Sequence, residues 1–497
     1  MTDLPGGSPL LKRILPAIPE GEPVYLVGGA VRDLFLHRVS HDLDFALPGN
    51  ALKLARKVGD SLGGAYFPLD EARDTGRVVL EGDLGERVVL DFTGFRGPDL
   101  ESDLRARDLT INSLALDLHQ PDKIIDPLGG IRDLQHGLLR PCSPESFTSD
   151  PLRILRTIRM AVDFEFRILP ETRDLIQGSL SGLAEVSPER IRDELFTILD
   201  TGSPATGVQL LDHFRVLPFT FPELLDLKDV RQPPPHIYEV WKHTLATLRQ
   251  LDRVLGVLGP VHDEEASADL MMGLLVQRIG RYREQISAHL EDQPTPDRSL
   301  RSLLSFAALY HDIGKPTTKS IDESGRIRFL AHADAGAEIT SARARQLCLS
   351  NREIQRAVRI VRHHMRPLNL AASGKQPSRR AVYRFFRDTG AAGVDICLLS
   401  LADTLATYGP ALKQDVWLQQ LDIVRALLEG WWEQRETRIR PEPLIGGKDL
   451  IEELNLAPGP QFGELLDFLL EAQAVGEIKT RQEALDRAKQ WLRGQEP

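Results

Sequence analysis

The chain has 497 residues, 42% of them hydrophobic, which is enough for about three or four domains with real cores. Its 72 acidic and 61 basic residues leave a net charge of −11, so any contact with nucleic acid has to be local rather than a bulk field. The three cysteines (Cys142, Cys348, Cys397) share no metal or redox spacing, no run of about 18 apolar residues reads as a membrane span, and Met1–Gly7 lacks a basic-then-apolar leader, so the cytoplasm is the expected compartment.

Residues 24–126 read as α/β. The apolar run Val24–Val27 predicts a strand that breaks into Gly28-Gly29, followed by an amphipathic stretch carrying Arg32 and Asp33. Such a turn lets the backbone approach a ligand closely, and its N–H groups open a helix whose start favours phosphate. Asp42 and Asp44 then flank Leu43 in a second strand and project to one side of a sheet. Two carboxylates so placed repel each other unless a cation joins them, and their hard oxygens suit Mg²⁺ with a triphosphate. Alone, each element is an ordinary turn or strand end; their order and closeness give them meaning. Ala51–Leu62 predicts a helix, and Val88–Phe92 and Lys123–Asp126 predict strands. Asp91 is either a third carboxylate of the same site or a structural strand-end residue. A short join, Thr93–Leu104, leads to the charged segment Asp103–Arg107–Asp108, and the polar stretch Asp70–Arg77 stands apart as a loop.

From Asp150 onward the pattern is helical. Asp150 suits an N-cap and Pro151 a first helical position. Asp150, Arg153, Arg156 and Arg159 recur every three residues and share a face, while Leu152, Ile154, Leu155 and Ile158 supply the buried side. Cytosine and adenine both present an exocyclic amine beside a ring-nitrogen acceptor; uracil and guanine reverse that pattern. An acceptor at Asp150 beside a donor at Arg153 therefore fits C or A without a template. The plainer reading is a capped helix with a solvated arginine face.

Breaks at Gln232–His236, Glu291–Pro296 and Arg440–Gly447 divide the remainder. Between them lie His243, His311-Asp312, His332, His363-His364 and Asp403, imidazoles and carboxylates of the type that bind transition metals. From Arg352 to Arg387 ten basic residues meet one acid, around Tyr383, Phe385 and Phe386. This is either a phosphate-backbone stripe or a solvated helix face over core aromatics. The last segment, Pro443–Gly463, reads as two capped helices.

On the Gly-Gly and Asp-x-Asp head, the Asp103–Ala115 element and the Asp150 helix, the chain resembles the class II transfer-RNA nucleotidyltransferases and the bacterial poly(A) polymerases. Ala308–Pro316 (Ala-Leu-Tyr-His-Asp-Ile-Gly-Lys-Pro), with the other histidines, resembles the HD phosphohydrolases. The resemblance implies an α+β fold: a small nucleotidyltransferase head of mixed sheet and helices, then all-α neck, HD and tail domains. The corresponding limits are 1–140, 141–230, 231–430 and 431–497. It implies untemplated transfer to the 3′ end of tRNA, with CTP and in some members ATP as donor. Asp42 and Asp44 would bind Mg²⁺, with Asp91 as third catalytic carboxylate. Gly28, Gly29 and Arg32 would hold the triphosphate, Arg107 the nucleotide, Asp150 and Arg153 the base, and Arg156 and Arg159 phosphates or stacked rings. His243, His311, Asp312, His332, His364 and Asp403 would hold a metal such as Ni²⁺ or Mn²⁺ for hydrolysis of an RNA-end phosphoester, and the tail would grip the tRNA arm.

Two positions depart from the family pattern. Ser149 stands where a Glu usually precedes the reading Asp, and Ala106 where an Arg precedes Arg107. In full CCA-adding relatives a longer flexible segment separates the equivalents of Arg96 and Leu100. Its shortness here implies the CC-adding subtype, unless the loop is trimmed without changing specificity or Asp70–Arg77 serves in its place. Full CCA addition and poly(A) synthesis are the alternatives; a chain ending Arg493–Pro497 lacks the basic tail usual in the latter. An HD hydrolase whose head only senses nucleotides, or an RNA-binding scaffold, would need a broken Asp-x-Asp, and it is intact.

Overall fold

The computed structural model describes residues 9–19, 21–82, 85, 87–120, 123–260, 269–295, 298–454, 456 and 459–493. The leader reading of residues 1–7, Pro296 of the second break and residues 494–497 lie outside these. The chain forms two compact units: residues 1–194 with 210–216, and residues 195–209 with 217–497.

The first unit is built on a seven-stranded mixed sheet. Its strands are β1 (Tyr25–Val27), β2 (Asp42–Leu47), β3 (Ala65–Asp70), β4 (Thr75–Glu81), β5 (Arg87–Gly94), β6 (Ala115–Asp117) and β7 (Ile124–Ile125), in the order β3-β4-β5-β2-β1-β6-β7. Among the described residues of this sheet, only β2 and β5 pair in parallel. Strand side chains alternate, so Leu43, Phe45, Val78, Leu80, Leu90 and Phe92 enter one core. Phe45 stacks on Phe92 with ring centroids 4.8 Å apart. The helix Ala51–Leu62 covers that face with Ala51, Leu54, Ala55 and Val58, the spacing of a single helical stripe. The opposite face is left to Asp42, Asp44, Asp91 and Arg77. Helix Arg153–Asp163 belongs to this unit, and its Met160 and Ala161 join the same core.

Two readings are corrected here. Asp70–Arg77 is not a free loop: it is the turn of the β3–β4 hairpin, and Arg77 lies inside β4. The hairpin escaped notice because β3 is an edge strand with Pro68 and few buried side chains, so its alternation carries no hydrophobic signal. The reading helix starts at Arg153, not Pro151. Asp150 caps this turn as expected: its backbone is extended, its carbonyl accepts from Arg153 N–H at 3.1 Å and its Oδ1 accepts from Leu152 N–H at 3.3 Å, so Asp150–Leu152 form a capped turn ahead of the helix.

The second unit is helical apart from a hairpin, Lys319–Ile321 with Ile327–Phe329. Helix Ala392–Tyr408 runs buried along nearly its whole length. Among the described residues no single helix is long and apolar enough to cross a membrane. The last helices, Gly447–Leu454, Pro460–Val475 and Arg481–Arg493, close on a small core of their own around Leu450, Leu465 and Leu485. Much of the basic stripe is paired inside this unit. Arg380, Arg384 and Arg387 reach Glu471, Arg356 reaches the buried Asp395, and Tyr383, Phe385 and Phe386 are core residues.

Candidate nucleotide-transfer and metal sites

Parallel pairing sets Asp44 of β2 directly beside Asp91 of β5, and Asp42 beside Val89. Facing partners point to the same side of a sheet, so all three carboxylates share the open face. The next residue in that row is Arg77 of β4, opposite Asp91. Its guanidinium grips both Asp91 oxygens, each at 2.8 Å. The Asp44 carboxyl is pushed above its ordinary value: crowding by protein leads, Arg107 opposes it, and Asp91 and Asp42 add to it. An all-carboxylate donor set, only partly offset by Arg77 and Arg107, fits a hard divalent cation held by Asp42 and Asp44.

Gly28 has φ +74°, a conformation open to glycine, and starts the helix Gly29–Phe35. A Cβ there would lie 2.8 Å from Arg107 Nη1 and 3.6 Å from Asp44 Oδ2, so the missing side chain is what brings that arginine and that carboxylate together. The Gly28 N–H itself is committed to the Leu114 carbonyl. Arg32 turns inward. It donates to Asp33 Oδ1 and Asn112 Oδ1 and lies over the Phe164 ring. Asn112 passes the network to the buried Asp108, which Arg156 also meets, and Glu194 receives both Arg156 and Arg159. Arg32, Arg156 and Arg159 are therefore anchored by acids that the sequence reading had not paired with them.

The join between β5 and helix Leu100–Arg105 is five residues, Phe95–Asp99. Asp103, on the following helix, fastens the join at Arg96, whose backbone N–H its Oδ1 accepts at 3.2 Å, and its Oδ2 accepts Arg107, just past that helix, at 3.1 and 3.2 Å. Arg153 donates to the carbonyls of Ala106 (2.8 Å) and Arg107 (3.1 Å), while Asp150 Oδ2 accepts from Arg190 at 2.9 Å. Asp150 and Arg153 line one cleft of about 1510 Å³, together with Thr75, Phe95, Arg96 and Arg190. Arg77, Asp103 and Arg190 were missed from sequence. Asp103 and Arg107 do stand at a helical i,i+4 spacing, which is a usable signal.

In the second unit the histidines converge. His243, His311 and Asp312 bring ligand atoms within 4.8 Å of one another, and so do Asp312, His332 and His364. Asp312 is common to both sets. The ring Nδ1 atoms of His311, His332 and His364 each face the carbonyl three residues back, at 2.7, 2.9 and 2.6 Å. That bond fixes the proton on Nδ1 and leaves Nε2 as a lone-pair donor aimed inward. All three Nε2 atoms are buried without a hydrogen-bond partner. His243 Nε2 lies 3.0 Å from Asp403 Oδ1. Burial pushes the His364 imidazole down to about 3. Orphaned imidazole nitrogens around a shared carboxylate fit a transition metal.

Four family models match consecutive parts of the chain: poly A polymerase head domain at 24–140, probable RNA and SrmB-binding site of polymerase A at 165–227, HD domain at 270–408, and tRNA nucleotidyltransferase domain 2 at 405–488. An A-adding tRNA nucleotidyltransferase of Deinococcus radiodurans is 35% identical over 96% of this chain and 97% of its own length. The chain belongs to the tRNA nucleotidyltransferase family. Within that family, a CC-adding tRNA nucleotidyltransferase of Thermus thermophilus is 33% identical, covering 95% of this chain and 94% of that protein. Near-equal identity to members with different products means that overall similarity does not assign this nucleotidyltransferase its product. A CCA-adding enzyme solved with ATP shares its fold at a TM-score of 0.61 and 21% identity, covering 100% of this chain and 96% of the other. The Thermotoga maritima CCA-adding enzyme complexed with tRNA has a TM-score of 0.52 at 21% identity, covering 97% and 94%.

Proposed function

We propose that this family member adds CMP to the 3′ end of immature tRNA without a template, stops after two additions, and works in the cytoplasm. The observation that carries the transfer reading is the placement of Asp42, Asp44 and Asp91 on one open sheet face under Gly28. Magnesium held by Asp42 and Asp44 would neutralise phosphate charge and acidify the terminal 3′-hydroxyl. The 3′-oxygen bonds to the α-phosphorus of CTP, and pyrophosphate leaves. Asp150 accepts from the cytosine amine, Arg153 donates to its ring nitrogen, and Arg107 supports the nucleotide from the Asp103 anchor. Residues 141–230 and the tail 431–497 are the segments proposed to hold the RNA. The five-residue join supports the CC limit: reshaping a pocket from C to A needs a movable element, and this one is short and tied to Asp103 through Arg96.

Labelled CTP and ATP, offered with tRNAs ending at the discriminator base, at C and at CC, test this. Two cytidines and no adenosine are expected. Adenosine on a CC end overturns the CC limit, and no incorporation on any RNA overturns the transfer reading. A second activity has its own support in the orphaned Nε2 atoms around Asp312. We propose hydrolysis of a phosphoester, such as a 2′,3′-cyclic phosphate at an RNA end, by the Ni²⁺- or Mn²⁺-loaded protein. A 2′- or 3′-phosphomonoester on the RNA end, with the neighbouring hydroxyl freed, is the expected result in that assay; an unchanged cyclic end would overturn it.

A further inference from the structure

The carboxylate row does not stop at Arg77. Its next member is Phe67 of β3, opposite Arg77 in the β3–β4 register. The sequence across four strands is therefore Phe67, Arg77, Asp91, Asp44, all on the open face. At about 4.8 Å per strand, Phe67 stands roughly 14 Å along the sheet from Asp44. Tyr66, its neighbour in β3, points the other way and packs on the core. Phe67 is 48% exposed, and so is Leu69 on the same edge strand. Single exposed apolar residues are common on protein surfaces. This one lies in line with the carboxylates, beyond a guanidinium already committed to Asp91.

We propose that Phe67 is the stacking platform for the single-stranded 3′-terminal bases of the RNA being extended. The inference rests on the transfer reading above. That reaction needs a 3′-hydroxyl held at Asp42 and Asp44, so the bases behind it must lie on surface continuous with that point. Single-stranded RNA is held by bases laid on aromatic rings of open sheets, and stacking accepts any base, as a growing end requires. The Asp150–Arg153 face is needed for the incoming nucleotide, and β3 offers the RNA end an apolar surface in the same row as the carboxylates. Arg77 between them is pinned by its fork on Asp91, away from the Phe67 ring, which stays exposed.

Phe67→Ala should raise KM for the RNA on the order of tenfold, as expected for one lost base–aromatic stack. KM for CTP should stay as it was, and Phe67→Tyr should restore the wild-type value. A separate reading avoids activity. Phe67→Trp should show emission quenched by an RNA with a single-stranded 3′ end, and not by a blunt hairpin of the same length. An unchanged RNA KM in Phe67→Ala, or a tryptophan that the 3′ end does not quench, overturns the proposal. Quenching in a protein that incorporates no nucleotide would sink the transfer reading and leave the platform standing.

Discussion

Arg77 and Asp91 form a two-point ion pair, with each carboxylate oxygen 2.8 Å from a guanidinium nitrogen, at facing positions of β4 and β5. The arginine is thus the standing counter-ion of a carboxylate that neighbours Asp44. Arg77→Met should tighten binding of a divalent probe such as Mn²⁺ on the order of fivefold, from one positive charge removed at roughly 8 Å in high dielectric. Electron paramagnetic resonance titration of the free ion reads this directly. Unchanged or weaker Mn²⁺ binding would show that Asp91 stays out of the metal's reach.

Asp44 lies between two other acids, and its carboxyl is raised mainly by crowding, in part by them. Asp44→Asn removes like-charge repulsion while keeping the shape. Transfer should fall at least a hundredfold, while the melting temperature stays level or rises, the sign of a residue kept for chemistry at a cost to stability. A drop in melting temperature of several degrees would make Asp44 a structural residue instead.

Asp150 and Arg153 have different attachments. Arg153 also buttresses the carbonyls of Ala106 and Arg107, whereas Asp150 is held by Arg190. Asp150→Ala should therefore lower the preference for CTP over UTP by roughly a hundredfold, with little effect on unfolding, because it removes an acceptor aimed at the base. The ratio of kcat/KM for the two nucleotides is the measurement. A preserved ratio would place base selection elsewhere.

The histidine site is chemically separate from the carboxylate row. His364→Gln should lose roughly one equivalent of bound Ni²⁺ or Mn²⁺ by elemental analysis, since one lone-pair nitrogen of the Asp312–His332–His364 set is gone. CMP transfer should be unaffected. Full metal content in the variant would remove His364 from the ligand set.

A pH test is available away from both sites. Asp395 is buried, and although burial raises its carboxyl, Arg356 and His289 bring it below the ordinary value. A depressed folded value means stability that is present above about pH 4 and lost as pH falls below it, because the unfolded chain then binds the extra proton. Asp395→Asn should cost roughly 3 kcal/mol at pH 7 and flatten that acid limb in denaturant titrations. An acid limb of unchanged slope would assign it to other carboxylates.

How much was legible in the sequence follows a physical line. Ala51–Leu62 was legible to the residue because one apolar stripe recurs at helical period, and β2 and β5 because each alternates against a single core. The carboxylates and histidines stood out because their chemistry needs particular residue types at close spacing. The β3–β4 hairpin did not, since an edge strand buries too little to leave a pattern. Nor did Arg77 or Arg190, whose importance comes from partners 14 and 40 positions away that only folding brings together, whereas Asp103 meets Arg107 at a local spacing of four that the sequence does carry. The basic stripe misled in part: charge along a helix says nothing about the acids that another helix, here Pro460–Val475, sets against it.

The join held by Asp103 also bears on how freely this segment can change in length. Gly97 fits only because it lacks a Cβ, which would fall 2.7 Å from the Cβ of Ser102, while Asp103 ties Arg96 on one side and Arg107 on the other. Lengthening this segment would have to release the close approach of Gly97 to Ser102 and the bond from Arg96 to Asp103, so a change in its length carries a structural cost at both contacts.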